Sequence, residues 1–161
     1  MLINYIITLL LISFSYTTTL QSVYDNSGPY NGYDKFLILD KNDIYTGGLG
    51  VFEGNVFIQG NGAIIDLQNG GGIWVYADEY TPASLDIEYS TLVNGEYYGL
   101  SFAGTSTGEI TNCNFISNDF GISLYDYADI KIKNSNFVNN NTYALVKWNN
   151  HTTTSNNYNY Y

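Results

Sequence analysis

Apolar and polar residues alternate along the middle of this chain in short runs, and the runs recur. Three of them are near-copies: Ile87-Glu-Tyr-Ser-Thr-Leu92-Val93, Ile110-Thr-Asn-Cys-Asn-Phe115-Ile116 and Ile132-Lys-Asn-Ser-Asn-Phe137-Val138, with starts 23 and 22 residues apart. A fixed period of this size marks stacked supersecondary units, each of which buries its apolar face only against its neighbours. A second element, Gly followed by alternating apolar residues, recurs as Gly48-Leu-Gly-Val51, Gly72-Ile-Trp-Val75, Gly99-Leu-Ser-Phe102 and Gly121-Ile-Ser-Leu124, with a degenerate copy at Ala144-Leu-Val-Lys147. A third precedes the first: Val56-Phe-Ile58, Leu85-Asp-Ile87, Gly108-Glu-Ile110 and Ile130-Lys-Ile132. Each run alternates with period two, as a strand with one buried face does. Asn94-Gly95, Asn118-Asp119 and Asn139-Asn-Asn141 separate runs; such residues accept tight corners and left-handed backbone. Tyr, Thr, Val, Ile and Phe favour strands. No long stretch shows a 3.6-residue period, so no helix is expected.

Three short strands per unit, 22 to 24 residues in most units and Asn-rich corners describe an all-β fold. It is a single-stranded right-handed parallel β-helix, a solenoid of about four to five coils over residues 45–148. Like residues of successive coils then lie about 4.8 Å apart. Leu92, Phe115 and Phe137 form an interior ladder, and Val56, Ile58, Leu85, Ile87, Ile110, Ile130 and Ile132 line one inner wall. Asn112 and Asn134 are expected to stack at a corner and exchange amide hydrogen bonds, which satisfies polar groups at a sharp bend. Residues 16–44 read as an N-terminal lead-in or cap and residues 149–161 as a polar disordered tail. The apolar stretch Leu2 to Phe14 is shorter than the roughly 20 residues of a membrane span. With small Ser13 and Ser15 spaced as at a signal-peptidase site, it reads as a signal peptide over residues 1–15. That places the protein outside the cell, secreted or at the cell surface. The start lacks Lys and Arg, so an uncleaved anchor and a first strand are the alternatives.

The segment Asn55-Val-Phe-Ile-Gln-Gly-Asn-Gly-Ala-Ile-Ile-Asp-Leu67 resembles the opening coil of many proteins of the pectate-lyase-like β-helix superfamily. Gly47-Gly48-Leu49 and Gly71-Gly72-Ile73, with Phe115-Ile-Ser-Asn118 and Phe137-Val-Asn-Asn140, resemble the Gly-Gly-apolar and Phe-x-x-Asn repeats of polymorphic outer-membrane adhesins. The resemblance covers roughly residues 45 to 148 and implies the fold more than any one chemistry. It also supplies tests. Pectate lyases commonly use an Arg base, and this chain has no Arg. The Asn-Thr-Asp, Asp-Asp, Gly-His-Gly and Arg-Ile-Lys set of polygalacturonases is missing, as is the paired-Asp and Arg site of pectin methylesterases.

Composition narrows the function classes further. The formal charge is −10, and five Lys are the only cationic side chains apart from a single His. Nucleic-acid binding needs a basic footprint, which this chain lacks. The single cysteine, Cys113, aligns with Ser90 and Ser135, which fits a small, buried, inert side chain. The single His, His151, lies in the tail.

Candidate ligand residues fall on two outer faces. On the first strand, outward positions run Phe57, Asp86, Glu109, Lys131 in one column and Gln59, Glu88, Thr111, Lys133 in the next. Crowded Asp86, Glu88 and Glu109 raise a pKa or recruit Ca²⁺, beside which a Lys is a candidate lyase base. The plain alternative is a solvated surface where Glu109 pairs with Lys131, worth little energetically. On the third strand Trp74 faces outward with Tyr76 nearby, while Tyr97-Tyr98 and Tyr125-Asp126-Tyr127 sit at corners. Exposed aromatics suit stacking on sugar rings. The corner carboxylates Asp78, Glu79, Asp119, Asp126 and Asp129 match no known Ca²⁺-loop spacing. Asn140-Asn-Thr142 and Asn150-His-Thr152 fit the N-glycosylation pattern, giving Asn140 and Asn150 as acceptors. The chain thus reads as a secreted, non-catalytic scaffold or adhesin-like surface module whose partner is a polysaccharide or cell-surface glycan. Its ligand-binding candidates are Trp74, Tyr76, Asp86, Glu88, Glu109, Lys131 and Lys133. The alternative is a fragment or degenerate member of a polysaccharide lyase or glycoside hydrolase family.

Overall fold

The structure is a computed structural model that describes residues 17–41 and 43–148. The expected signal peptide, the expected tail and Asn150 lie outside the described residues. Along the chain run β1 (Thr18–Thr19), α1 (Leu20–Asn26), β2 (Lys35–Ile38), β3 (Ile44–Thr46), β4 (Leu49–Val51), β5 (Gly54–Gln59), β6 (Ile64–Asp66), β7 (Ile73–Ala77) and β8 (Ala83–Glu88). They continue as β9 (Thr91–Val93), β10 (Tyr98–Gly104), β11 (Thr107–Thr111), β12 (Asn114–Ile116), β13 (Phe120–Tyr125), β14 (Asp129–Lys133), β15 (Asn136–Val138) and β16 (Tyr143–Trp148). No helix of the described residues is long and apolar enough to cross a membrane.

The strands form three sheets, and the chain visits them in constant order. Sheet I is β2-β5-β8-β11-β14, sheet II is β1-β3-β6-β9-β12-β15, and sheet III is β4-β7-β10-β13-β16. Every pairing between these strands is parallel. This is the expected solenoid with three strands per coil. The stack is deeper than the expected four to five coils, because sheet II is six strands deep. The extra depth lies upstream of residue 45, where β2 pairs with β5 and β1 with β3. Those strands escape the repeat pattern because a helix and the loop through Tyr30 and Tyr33 interrupt the spacing.

The helix itself corrects the all-strand expectation. At seven residues, α1 is too short to show a helical period. Thr19 caps it, its hydroxyl accepting from Ser22 N at 3.1 Å, a contribution of about 1 kcal/mol. Leu20 is fully buried, and Val23 and Tyr24 pack on the core, so the helix covers the first coil. Lys35 ties down its far end, donating to the Tyr24 and Ser27 carbonyls at 3.1 and 2.9 Å.

Like residues stack on like inside. Leu92, Phe115 and Phe137 are in register, and the two phenyl rings lie parallel with centroids 5.1 Å apart. The inner wall of sheet I holds Val56, Ile58, Leu85, Ile87 and Ile110 in the core, with Ile130 and Ile132 packed against it. The recurring glycine of sheet III has a steric cause. A methyl group on Gly48, Gly72 or Gly121 would stand 2.2, 2.1 or 2.4 Å from a carbonyl oxygen of the next coil. Ala144, the degenerate copy, closes the column among the described residues.

The corners divide two tasks that the sequence reading assigned to one pair. Asn112 and Asn134, with Tyr89 of the coil before, hold left-handed backbone at φ 54, 48 and 49°. The interior amide ladder runs through Asn118 and Asn140 instead. Asn118 donates to Asn140 Oδ1 at 3.2 Å and to Leu92 O at 3.2 Å. It accepts from Gly95 N at 2.8 Å, and Asn140 donates to Phe115 O at 3.0 Å. A second ladder links Asn136 to Asn114 and Asn114 to Thr91 on the flank of sheet II.

Candidate functional site

The outer face of sheet III is built from bulky aromatics at the margins and small residues between them. Trp74, Ser101, Ser123 and Val146 share one outward column. Tyr98, Phe120 and Tyr143 stand in register on one side of it, and Tyr125 and Trp148 on the other. Because Ser101 and Ala103 carry almost no side-chain bulk, the surface sinks between the rings. The result is a trough of about 460 Å³ walled by Trp74, Tyr76, Tyr98 and Tyr125, with Ser101 and Ala103 as its floor and Asp126 also in its lining. Trp74 and Tyr76 remain about two-fifths exposed.

The walls are braced from behind. Phe52 meets the Trp74 ring edge-on at 5.3 Å, and Tyr76 meets it at 6.2 Å. Phe52 finds room only because position 50 is glycine: a methyl group there would lie 2.5 Å from the Phe52 ring. Burial, with the nearby Tyr125 phenol, pushes the Tyr98 hydroxyl above its usual pKa. Tyr98 therefore stays neutral at physiological pH and is available as a donor and acceptor. Tyr97 and Tyr127, expected near this site, do not line the trough and are heavily exposed.

The outer face of sheet I brings the expected charged columns together. Phe57 pairs with Asp86 and Glu109 with Lys131, while Gln59, Glu88, Thr111 and Lys133 stack beside them. A groove of about 370 Å³ is lined by Ser84, Asp86, Thr107, Glu109, Asp129 and Lys131 among others. Two of its carboxylates, those of Asp86 and Glu109, are engaged. Asp86 accepts from the Tyr33 hydroxyl and from Glu109 N, each at 2.7 Å. Burial and that bond to the Asp86 carboxylate push the Tyr33 phenol up to about 12. Glu109 pairs with Lys133 at 2.7 Å, the diagonal neighbour, where the sequence reading offered Lys131. That contact holds the Glu109 carboxyl below its usual pKa. Among the described residues, no group of three or more acidic, His or Cys side chains is placed to hold a metal ion. Asp78 closes its own turn by accepting from Tyr80 N and Thr81 N, and Asp119 accepts from the Thr142 hydroxyl.

Cys113 is fully buried, and its thiol donates to the Ile87 and Thr111 carbonyls. Burial pushes its pKa up to about 11, so no nucleophilic thiolate forms at neutral pH. Asn140 is half-buried, and a sugar on its Nδ2 would have to share the nitrogen that donates to Phe115.

Ser101, Ala103, Ser123, Phe52 and Trp148 were not singled out from the sequence. A signal existed for the serines: each lies two positions after the recurring glycine, in register with Trp74. Trp148 sits at the edge of the polar tail, where the pattern fades.

A family model described as the right-handed beta helix region matches residues 16–159. The match spans nearly the whole chain, which therefore belongs to the right-handed β-helix family. No curated protein and no solved structure matches the chain.

Proposed function

We propose that this β-helix is a non-catalytic, glycan-binding surface module, and that it works outside the cell. The observation that carries the reading is the trough on sheet III. Four aromatic side chains wall a concave surface over a floor of small residues, a shape and chemistry suited to the apolar faces and edge hydroxyls of sugar rings. The charge selects among glycans. With a formal charge of −10 and Asp126 in the trough lining, the face repels polyuronates and favours neutral sugars. The apolar leader Leu2 to Phe14 supports an extracellular location. An adhesin-like role accords with the Gly-Gly-apolar and Phe-x-x-Asn repeats.

A glycan array tests this directly. The expected result is binding to neutral glycans that Trp74→Ala abolishes while the far-ultraviolet circular dichroism stays unchanged. The second reading, a degenerate polysaccharide lyase, draws on the groove of sheet I, where Lys131 is exposed beside Asp86 and Glu109. It requires that the chain release unsaturated product from polygalacturonate with Ca²⁺, read by ultraviolet absorbance. The commitment of Asp86 to Tyr33 and of Glu109 to Lys133 favours the binding module.

A further inference from the structure

The outer face of sheet III continues past Tyr125. On β13, Ser123 lies between Phe120 and Tyr125, and the Trp148 indole contacts both rings. It stands edge-on to Phe120 at 6.3 Å and stacks on Tyr125 at 6.4 Å. An indole that reaches both rings lies across the strand segment between them, and that segment carries Ser123. Ser123 is fully buried. Its Oγ has no hydrogen-bond partner among the described residues, and neither has the buried Nε1 of Trp148. Other buried polar side chains are served: Ser106 reaches Val75 O, Ser90 reaches Glu88 O, and Asn118 uses both ends of its amide. Two orphaned polar atoms, one on the indole and one on the strand segment it crosses, carry a desolvation cost that packing alone does not explain.

We infer that Ser123 and Trp148 form a second sugar subsite, closed over in this structure, with the indole as its movable roof. The inference rests on the glycan reading of the Trp74 trough and extends it. When the roof swings out, Trp148 presents a ring face and an N–H donor, and Ser123 presents a hydroxyl that both donates and accepts. These are the groups that one sugar ring with free hydroxyls satisfies. The ligand is a linear neutral glycan lying along the solenoid axis. From Trp74 on β7 to Trp148 on β16 there are about three strand spacings, roughly 14 Å, the length of about three linked sugar rings. A disaccharide therefore fills the open trough alone, and a pentasaccharide engages both subsites.

Trp74 and Trp148 are the chain's two tryptophans, so each subsite has its own fluorophore. Trp148→Phe reports on Trp74 and Trp74→Phe on Trp148. Both are titrated with cello-, manno- and xylo-oligosaccharides of two and five residues. The expected result is that disaccharides move only the Trp74 emission and that one pentasaccharide series moves both. In calorimetry on the wild-type chain, that pentasaccharide binds at least tenfold tighter than its disaccharide, and Ser123→Ala removes threefold or more of the gain. Ser123→Ala also leaves the Tm unchanged or raised, since it deletes an unpaired buried hydroxyl; a fall in Tm would assign Ser123 a structural role and overturn the inference. A Trp74 response and a length gain that survive intact in Ser123→Ala, with Trp148 silent, overturn the second subsite and leave the trough reading standing. Silence of both tryptophans with every series overturns the trough reading itself.

Discussion

At the scale of single residues, side chains that look alike in the sequence do different physical work. Asn112 and Asn118 stand six positions apart in one coil. The first supplies a left-handed corner at φ 54°; the second is fully buried, and its amide bridges three coils. Composition alone does not separate these tasks, because Asn serves both. Urea denaturation separates them: Asn118→Ala is expected to cost about 3 kcal/mol, since it orphans buried backbone groups, and Asn112→Ala about 1 kcal/mol of left-handed strain. Equal costs would contradict this division. The inert thiol was legible from the Ser90, Cys113 and Ser135 alignment, and its consequence is a pH dependence. The folded thiol keeps its proton to about 11, whereas its ordinary value is 9.0. Stability contributed by that difference is fully present below pH 9 and is lost as pH rises towards 11. Cys113→Ser should therefore soften the loss of stability between those values, measured by chemical denaturation at each pH. Glu109 shows the limit of column reasoning. The register places Lys131 directly beside it, but the longer diagonal to Lys133 gives the 2.7 Å contact, a rotamer choice that a sequence does not record.

At the scale of elements, the repeats specified most of the strands, since an alternating run must put its apolar residues inward at every coil. The Phe115 and Phe137 stack and the inner wall of sheet I follow from spacing alone. The glycine column follows too, and it yields a sharp test. Gly121→Ala places a methyl group 2.4 Å from Ala144 O and 2.6 Å from the Phe137 ring. It is expected to lower stability by about 1–3 kcal/mol, read as a shift in the urea midpoint at unchanged slope. No loss would mean that the coils are looser than described. The elements upstream were less legible. β2 pairs with β5 without sharing the repeated motif, because the loop before it breaks the period. The helix α1 is too brief for periodicity to reveal, although its Thr19 cap is a signature that sequence reading can use.

At the scale of the whole molecule, three sheets run along the solenoid, and side-chain size shapes their outer faces. Sheet I presents charges that pair with one another and with Tyr33. Sheet III presents rings around a floor of Ser101 and Ala103. The sequence showed Trp74 and Tyr76 as outward aromatics, but a trough is a property of several coils together. It appears only when Trp74, Ser101, Ser123 and Val146 are placed on one line. On the proposed glycan reading, the acidic surface narrows the ligand class, because long-range repulsion disfavours an anionic chain before contact is made. The most direct test is native affinity electrophoresis through gels cast with neutral glucomannan or with polygalacturonate. The glycan-binding account predicts that glucomannan retards the wild-type chain, that Trp74→Ala migrates freely, and that polygalacturonate has no effect on either. Retardation by polygalacturonate alone, or equal retardation of the wild-type and Trp74→Ala chains, would contradict it.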